Sequence, residues 1–201
     1  MILLALSFLS VEAQGRYIVG YASLINRHAP PGGEFDVLVV SGFRASADRH
    51  RLGSGMYISN DPSTIIDTTD GWYCVISAGN GLPSFPRIYI PEYYERMDPY
   101  DRIERKFLWN ESEEVILDYI RFSTAEYKRA LRFSWFQPNP SANWKLEMMV
   151  PADLLRSPIL DLKAACFKQR EGMLRASSDV INWEGWGIIG YRRYPVDDPW
   201  P

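Results

Sequence analysis

Between Arg51 and Ile66 the chain reads Arg-Leu-Gly-Ser-Gly-Met-Tyr-Ile-Ser-Asn-Asp-Pro-Ser-Thr-Ile-Ile, a run that leaves the backbone few courses. Gly53 and Gly55 permit backbone angles that a Cβ forbids, so a tight turn is expected there. Met56-Tyr57-Ile58-Ser59 then alternates as a strand does, which puts Tyr57 and Ser59 on one face of it. Asn60 or Asp61 ahead of Pro62 supplies a cap and a proline at the first helical position, predicting a helix near 62–68.

The rest of the chain places strands towards both ends and helices between them. Strands are predicted at 16–24, 72–77, 87–90, 131–136, 144–150 and 159–167, each an apolar or alternating run bounded by turn residues. Val37-Leu-Val-Val40 is an apolar run that periodicity assigns to neither state, although its β-branching favours a strand. Asp98-Pro99 predicts a helix start, with Tyr100, Ile103 and Phe107 on one face at spacings of three and four. Asn110 with Glu113 forms a capping-box pattern for a second helix whose stripe is Val115, Ile116, Tyr119 and Ile120. Ser123 with Glu126 repeats the signal for a third, and 152–155 reads as a helical turn. This order is α+β. A dinucleotide fingerprint follows a strand and opens a helix, whereas Gly53-Ser-Gly55 precedes a strand, so a Rossmann sheet is disfavoured.

With 201 residues, 46% of them apolar, the chain suits one domain with a sizeable core. Residues 2–9 form an apolar run too short to span a bilayer, and Val11-Glu12-Ala13 offers small residues for cleavage. Residues 1–13 therefore read as a secretory signal peptide and 14–201 as the mature domain, secreted and without a membrane anchor. A net charge of −3 leaves no electrostatic footprint for nucleic acid. The basic run Arg44, Arg49, His50 and Arg51 suits either a pyrophosphate or a solvated loop. Cys74 and Cys166 are compatible with one disulfide in an oxidising compartment and equally with two buried thiols. Two cysteines and two histidines at unrelated spacings do not make a structural zinc site, so no metal is implied.

Three separated segments carry a resemblance. Ile18-Val-Gly-Tyr-Ala-Ser-Leu24, Gly53-Ser-Gly-Met-Tyr-Ile-Ser59 and Trp144-Lys-Leu-Glu-Met-Met-Val-Pro151 occur in that order. Together they resemble the first-strand, glycine-turn and Glu-strand motifs of the ADP-ribosyltransferase superfamily, the group of poly-ADP-ribose polymerase-like enzymes and of bacterial and fungal toxins. The resemblance implies a split β-sandwich with inserted helices, and NAD as the substrate whose nicotinamide–ribose bond is broken. It implies Glu147 as the catalytic carboxylate, because a carboxylate stabilises an oxocarbenium-like state. Tyr57 would stack on nicotinamide, supported by Ser59 and the Gly53/Gly55 turn, while Tyr21 and Ser23 would face the adenosine side. Further implied are a monomer and, as partner, a protein acceptor or host target of unknown identity.

The chain departs from the pattern at Tyr21-Ala22, where the first motif carries His or Arg, and at Lys145, where arginine-modifying members carry Glu or Gln. Glu111-Ser-Glu-Glu114 is a rival carboxylate cluster, explained more simply as acids in the first turn of a helix. The alternative function is a secreted, catalytically inactive effector or binding protein on the same fold, with Trp183, Trp186 and Trp200 as exposed interface anchors. An unrelated serine hydrolase is disfavoured, since no Gly-x-Ser-x-Gly elbow occurs.

Overall fold

The computed structural model describes residues 15–25, 34–36, 51–65, 71–138 and 142–190. The signal-peptide reading of 1–13, the run Val37–Val40, Arg44, both histidines and Trp200 lie outside the described residues. The fold is α+β and rich in strand. Its elements are β1 (Tyr17–Ile25), β2 (Glu34–Asp36), β3 (Gly55–Ser59), β4 (Gly71–Ala78), β5 (Arg87–Tyr89), β6 (Tyr93–Met97) and β7 (Ile103–Phe107). There follow α1 (Glu113–Arg121), β8 (Leu131–Phe136), β9 (Lys145–Pro151), β10 (Lys163–Phe167) and α2 (Arg170–Ala176). No helix among the described residues is long and apolar enough to cross a membrane.

Among the described residues eight strands form one sheet in the order β2-β10-β4-β1-β3-β9-β8-β5, antiparallel throughout except for the parallel pair β8–β5. At β1–β3 the halves are joined through a single registered pair, Tyr21↔Ser59. Gly20, in a left-handed conformation beside a register shift in β1, makes that approach possible, because a Cβ there would strike the Ser59 carbonyl and the Ile58 side chain.

One apolar core serves both halves. Ala22, Cys74, Ile76, Ala164 and Cys166 face it from one side, and Met56, Ile58, Phe133, Trp135, Leu146, Met148 and Val150 from the other. Cys74 and Cys166 stand directly opposite on β4 and β10 and form a disulfide. The outer face of each half carries its own helix. Met173 of α2 packs with Tyr21, Tyr73 and Val75, while Ile116 and Ile120 of α1 pack with Leu52, Ile90, Leu108 and Met149.

The structure corrects several expectations. Residues 98–107 are not a helix but the turn and second strand of the β6–β7 hairpin, in which Tyr93 pairs Phe107 and Met97 pairs Ile103. Asp98 caps this turn, not a helix, its carboxylate accepting from the amides of Tyr100 (2.8 Å) and Arg102 (2.9 Å). The helix after Pro62 is described only as one 3₁₀ turn, Pro62–Thr64, with Asp61 as its cap. The α1 cap is Ser112 rather than Asn110, and the third helix shrinks to the 3₁₀ turn Tyr127–Arg129. The strand predicted from 159 begins at Lys163. Trp183 is no surface anchor: it is fully buried, edge-on to Phe133 at 5.5 Å, and its Nε1 donates to the Val19 carbonyl at 2.9 Å. Trp186 packs beside it at 6.0 Å.

Candidate functional site

The three motif segments lie on adjacent strands, β1, β3 and β9. Register aligns their key residues in one row, Tyr21↔Ser59 and Ser59↔Glu147, continued to Ser134 on β8. Directly opposed residues share a face, so all four side chains leave the sheet on the side away from the shared core. A second row on that face, Tyr57↔Met149↔Arg132, lies one pleat along.

Glu147 is buried, with 3% of its side chain exposed, and its Oε1 lies 3.0 Å from Nη2 of Arg51. The Arg51 guanidinium also donates from Nη1 to the Trp135 carbonyl at 2.7 Å and lies 4.9 Å from the centre of the Trp109 ring. Trp109 is oriented by its Nε1 donating to the Ile90 carbonyl at 3.1 Å, and Trp144 stands beside it at 6.4 Å in a tilted pair. Lys145, two residues before Glu147, is paired with Asp61 at 2.9 Å. Burial opposes ionisation of Asp61, but hydrogen bonds from Ser63 and Lys145 outweigh it and hold the carboxyl below its ordinary value.

The glycine turn is built around an ion pair. Arg132 is fully buried on the outer face, donates to the Leu52 carbonyl at 2.7 Å and grips both carboxylate oxygens of Glu113 at the start of α1. Gly53, at φ +95°, leaves the space this pair occupies, since a Cβ there would collide with both Glu113 and Arg132. Gly55 lets β3 approach the Val150 carbonyl of β9. Tyr57 completes the turn, its hydroxyl accepting from the Leu52 amide at 2.8 Å and donating to the Gly53 carbonyl at 2.9 Å. Burial, joined by the negative charge of Glu147, holds the Tyr57 phenol well above its ordinary value, so it stays protonated as a donor.

The predicted residues therefore divide. Ser59, Glu147, Tyr57, Gly53 and Gly55 come together at β3–β9. The Ser59 hydroxyl is engaged with Thr64 Oγ1 at 2.5 Å and with Asp61 at 3.2 Å, which ties the row to the Asp61 cap. Tyr21 shares the row but is fully buried under α2, its hydroxyl meeting Ser177 Oγ at 2.6 Å and donating to the Asp179 carbonyl at 2.7 Å. Ser23 lies two residues further along β1, opposite Tyr73. Of the rival acids, Glu113 is the partner of Arg132. Sequence reasoning missed Arg132 and the indoles Trp109 and Trp144 as site residues, and it left Arg51 between a phosphate contact and solvent. Only the basic run pointed to Arg51, while Trp144 headed the third motif segment without an assigned role and Trp109 carried no local signal.

Among the described residues no group of three or more His, Cys, Asp or Glu side chains could hold a metal ion. What the row and its surroundings offer is a buried carboxylate, a planar cation against it and an aromatic wall. Groups of these kinds can interact with charge and with flat rings. No curated protein and no solved structure matches the chain. A family model does match residues 50–191, taking in Arg51, Trp109 and Glu147 but not β1, and the chain therefore belongs to a family of unknown function, DUF5910.

Proposed function

We propose that the protein cleaves the nicotinamide–ribose bond of NAD, as an NAD glycohydrolase or a mono-ADP-ribosyltransferase on a split β-sandwich of the ADP-ribosyltransferase kind. The observation that carries this reading is the cross-strand row Tyr21–Ser59–Glu147, which draws three motifs far apart in sequence onto neighbouring strands in one register. The common core between the two half-sheets, with a helix on each outer face, supports the fold half of the proposal.

In the reaction the C1′–N bond breaks, nicotinamide leaves with the bonding electrons and positive charge develops on the ribose. Glu147, fixed on a central strand and little exposed to water, stabilises that charge and holds a ribose hydroxyl. Water, or a nucleophile of an acceptor protein, adds to C1′ and loses its proton. Secretion, entry into an oxidising compartment and an acceptor or host target belong to the same proposal. The disulfide is the feature that favours that compartment.

A non-catalytic binding role is the second reading. Ala22 in place of a basic residue, the engaged hydroxyl of Tyr21 and the pairing of Glu147 with Arg51 favour it. Nicotinamide release from NAD by the purified protein, with and without a mixed-protein acceptor, separates the two. Glu147→Gln is expected to cut release by about 10²–10³-fold, as for loss of one electrostatic stabiliser of a transition state. No release under either condition, or equal release by the variant, overturns the catalytic reading.

A further inference from the structure

Among the described residues the Arg51 guanidinium meets three groups, and each is a recognition element for a planar organic cation: a buried carboxylate oxygen at 3.0 Å, a backbone carbonyl at 2.7 Å and an indole face at 4.9 Å. The backbone of the turn is fastened by other groups. Tyr57 holds the Leu52 amide and the Gly53 carbonyl, Arg132 holds the Leu52 carbonyl, and the Asn110 amide donates to the Arg51 carbonyl at 3.3 Å. The guanidinium is thus an occupant carried on a turn that is secured without it. Its side chain, 18% exposed, reaches solvent, whereas Glu147 beneath it does not.

We propose that Glu147, the Trp135 carbonyl and Trp109 form a planar-cation site that Arg51 fills from within the chain, and that a ligand carrying such a cation takes the site by displacing Arg51. Two sources share the chemistry: the pyridinium ring of an oxidised nicotinamide nucleotide and the guanidinium of an arginine in an acceptor protein. The choice between these sources rests on the NAD reading, whereas the site itself rests on the geometry. A self-filled site lowers apparent affinity by the fraction of molecules in which it is open. Arg51 is then an intrasteric plug, and its removal tightens binding.

The test measures binding of 1-methylnicotinamide and of Nα-acetylarginine methylamide by tryptophan fluorescence and by thermal shift. Their uncharged counterparts, nicotinamide and Nα-acetylcitrulline methylamide, serve as controls. In Arg51→Ala, and in Arg51→Met, which keeps the apolar stem, at least one cation is expected to bind about tenfold or more tighter than to the native protein. Its neutral counterpart should gain little, and adding Glu147→Gln should erase the difference. The cation that gains identifies the source. Unchanged or weaker cation binding, equal gains for charged and neutral ligands, or loss of the native circular dichroism in both Arg51 variants each overturn the proposal. NAD cleavage by the native protein without a cation gain would leave the catalytic reading standing and remove this one. A cation gain without cleavage would do the reverse.

Discussion

At Asp61 two effects oppose each other. The residue is 5% exposed, which penalises its charge, yet it accepts from the Ser63 amide at 2.8 Å and pairs with Lys145. The bonds win, so the folded carboxyl titrates below its unfolded value. A group depressed in this way contributes stability that is fully present above the unfolded value, near pH 4, and is lost as pH falls through the folded one. Asp61→Asn keeps the capping oxygen and removes the charge. Its urea midpoint should be lower than that of the native protein at neutral pH and should converge with it in acid; parallel curves would show that the charge contributes nothing. The same scale shows how far the site was legible. Tyr57, Ser59 and Glu147, which the fold brings together, could be singled out because each sits in a short motif whose order survives in the linear chain. Trp109 lies in the loop between β7 and α1, and only the folded sheet brings it over Arg51.

Among the elements, the β6–β7 hairpin shows how a short apolar pattern fits two periods. Tyr100, Ile103 and Phe107 satisfy helical spacing, but Tyr93, Glu95 and Met97 opposite Phe107, Arg105 and Ile103 satisfy strand pairing, and cross-strand contact decides. Asp98-Pro99 looked like a helix start because an aspartate that binds amides two and four residues on serves a turn equally well. The buried runs of β4 and β8 were legible for the opposite reason, being rich in β-branched or aromatic residues and closed by turn residues, and β9 because its apolar run ends at a proline. By contrast α2 left no trace in the sequence, since its cap position, Gln169, makes no side-chain bond, Gly172 lies inside it and its buried residue is Met173 alone. In α1 the predicted stripe holds in part, with Ile116 and Ile120 fully buried against Met149 and Tyr119 packed beside them, whereas Val115 is exposed. Ile120→Ala is expected to cost about 3 kcal/mol of unfolding free energy in urea titration, as for other buried truncations. Two positions on, Phe122→Ala, at a residue 84% exposed, should stay within about 0.5 kcal/mol. Similar losses at both positions would place α1 wrongly on the sheet.

For the whole molecule the disulfide is the long-range fastening. It joins cysteines 92 residues apart and locks β10 to β4 one pair short of the end of their pairing. Closing a loop of that size restricts the unfolded chain by an amount equivalent to about 4.6 kcal/mol, and native disulfides commonly deliver about 2–5. Cys74→Ala with Cys166→Ala should therefore lower the urea midpoint by an amount equivalent to about 2–4 kcal/mol, and reductant should reproduce the loss in the native protein but leave the variant unmoved. No difference between oxidised and reduced protein would remove the bond from the fold's energetics.

The position of β1 has a consequence for any shortened form of the molecule. It is the seam strand, bonded to β4 on one side and to β3 on the other, yet the segment that matches the family starts after it. A polypeptide cut at residue 50 would keep Arg51, Trp109 and Glu147 while laying bare the flanks of both half-sheets, each a row of unsatisfied amides and carbonyls ready to recruit a foreign strand. Such a fragment would keep those three side chains and lack the means to stay single, so self-association would be the cost of losing the nine-residue seam strand with the rest of the first fifty residues.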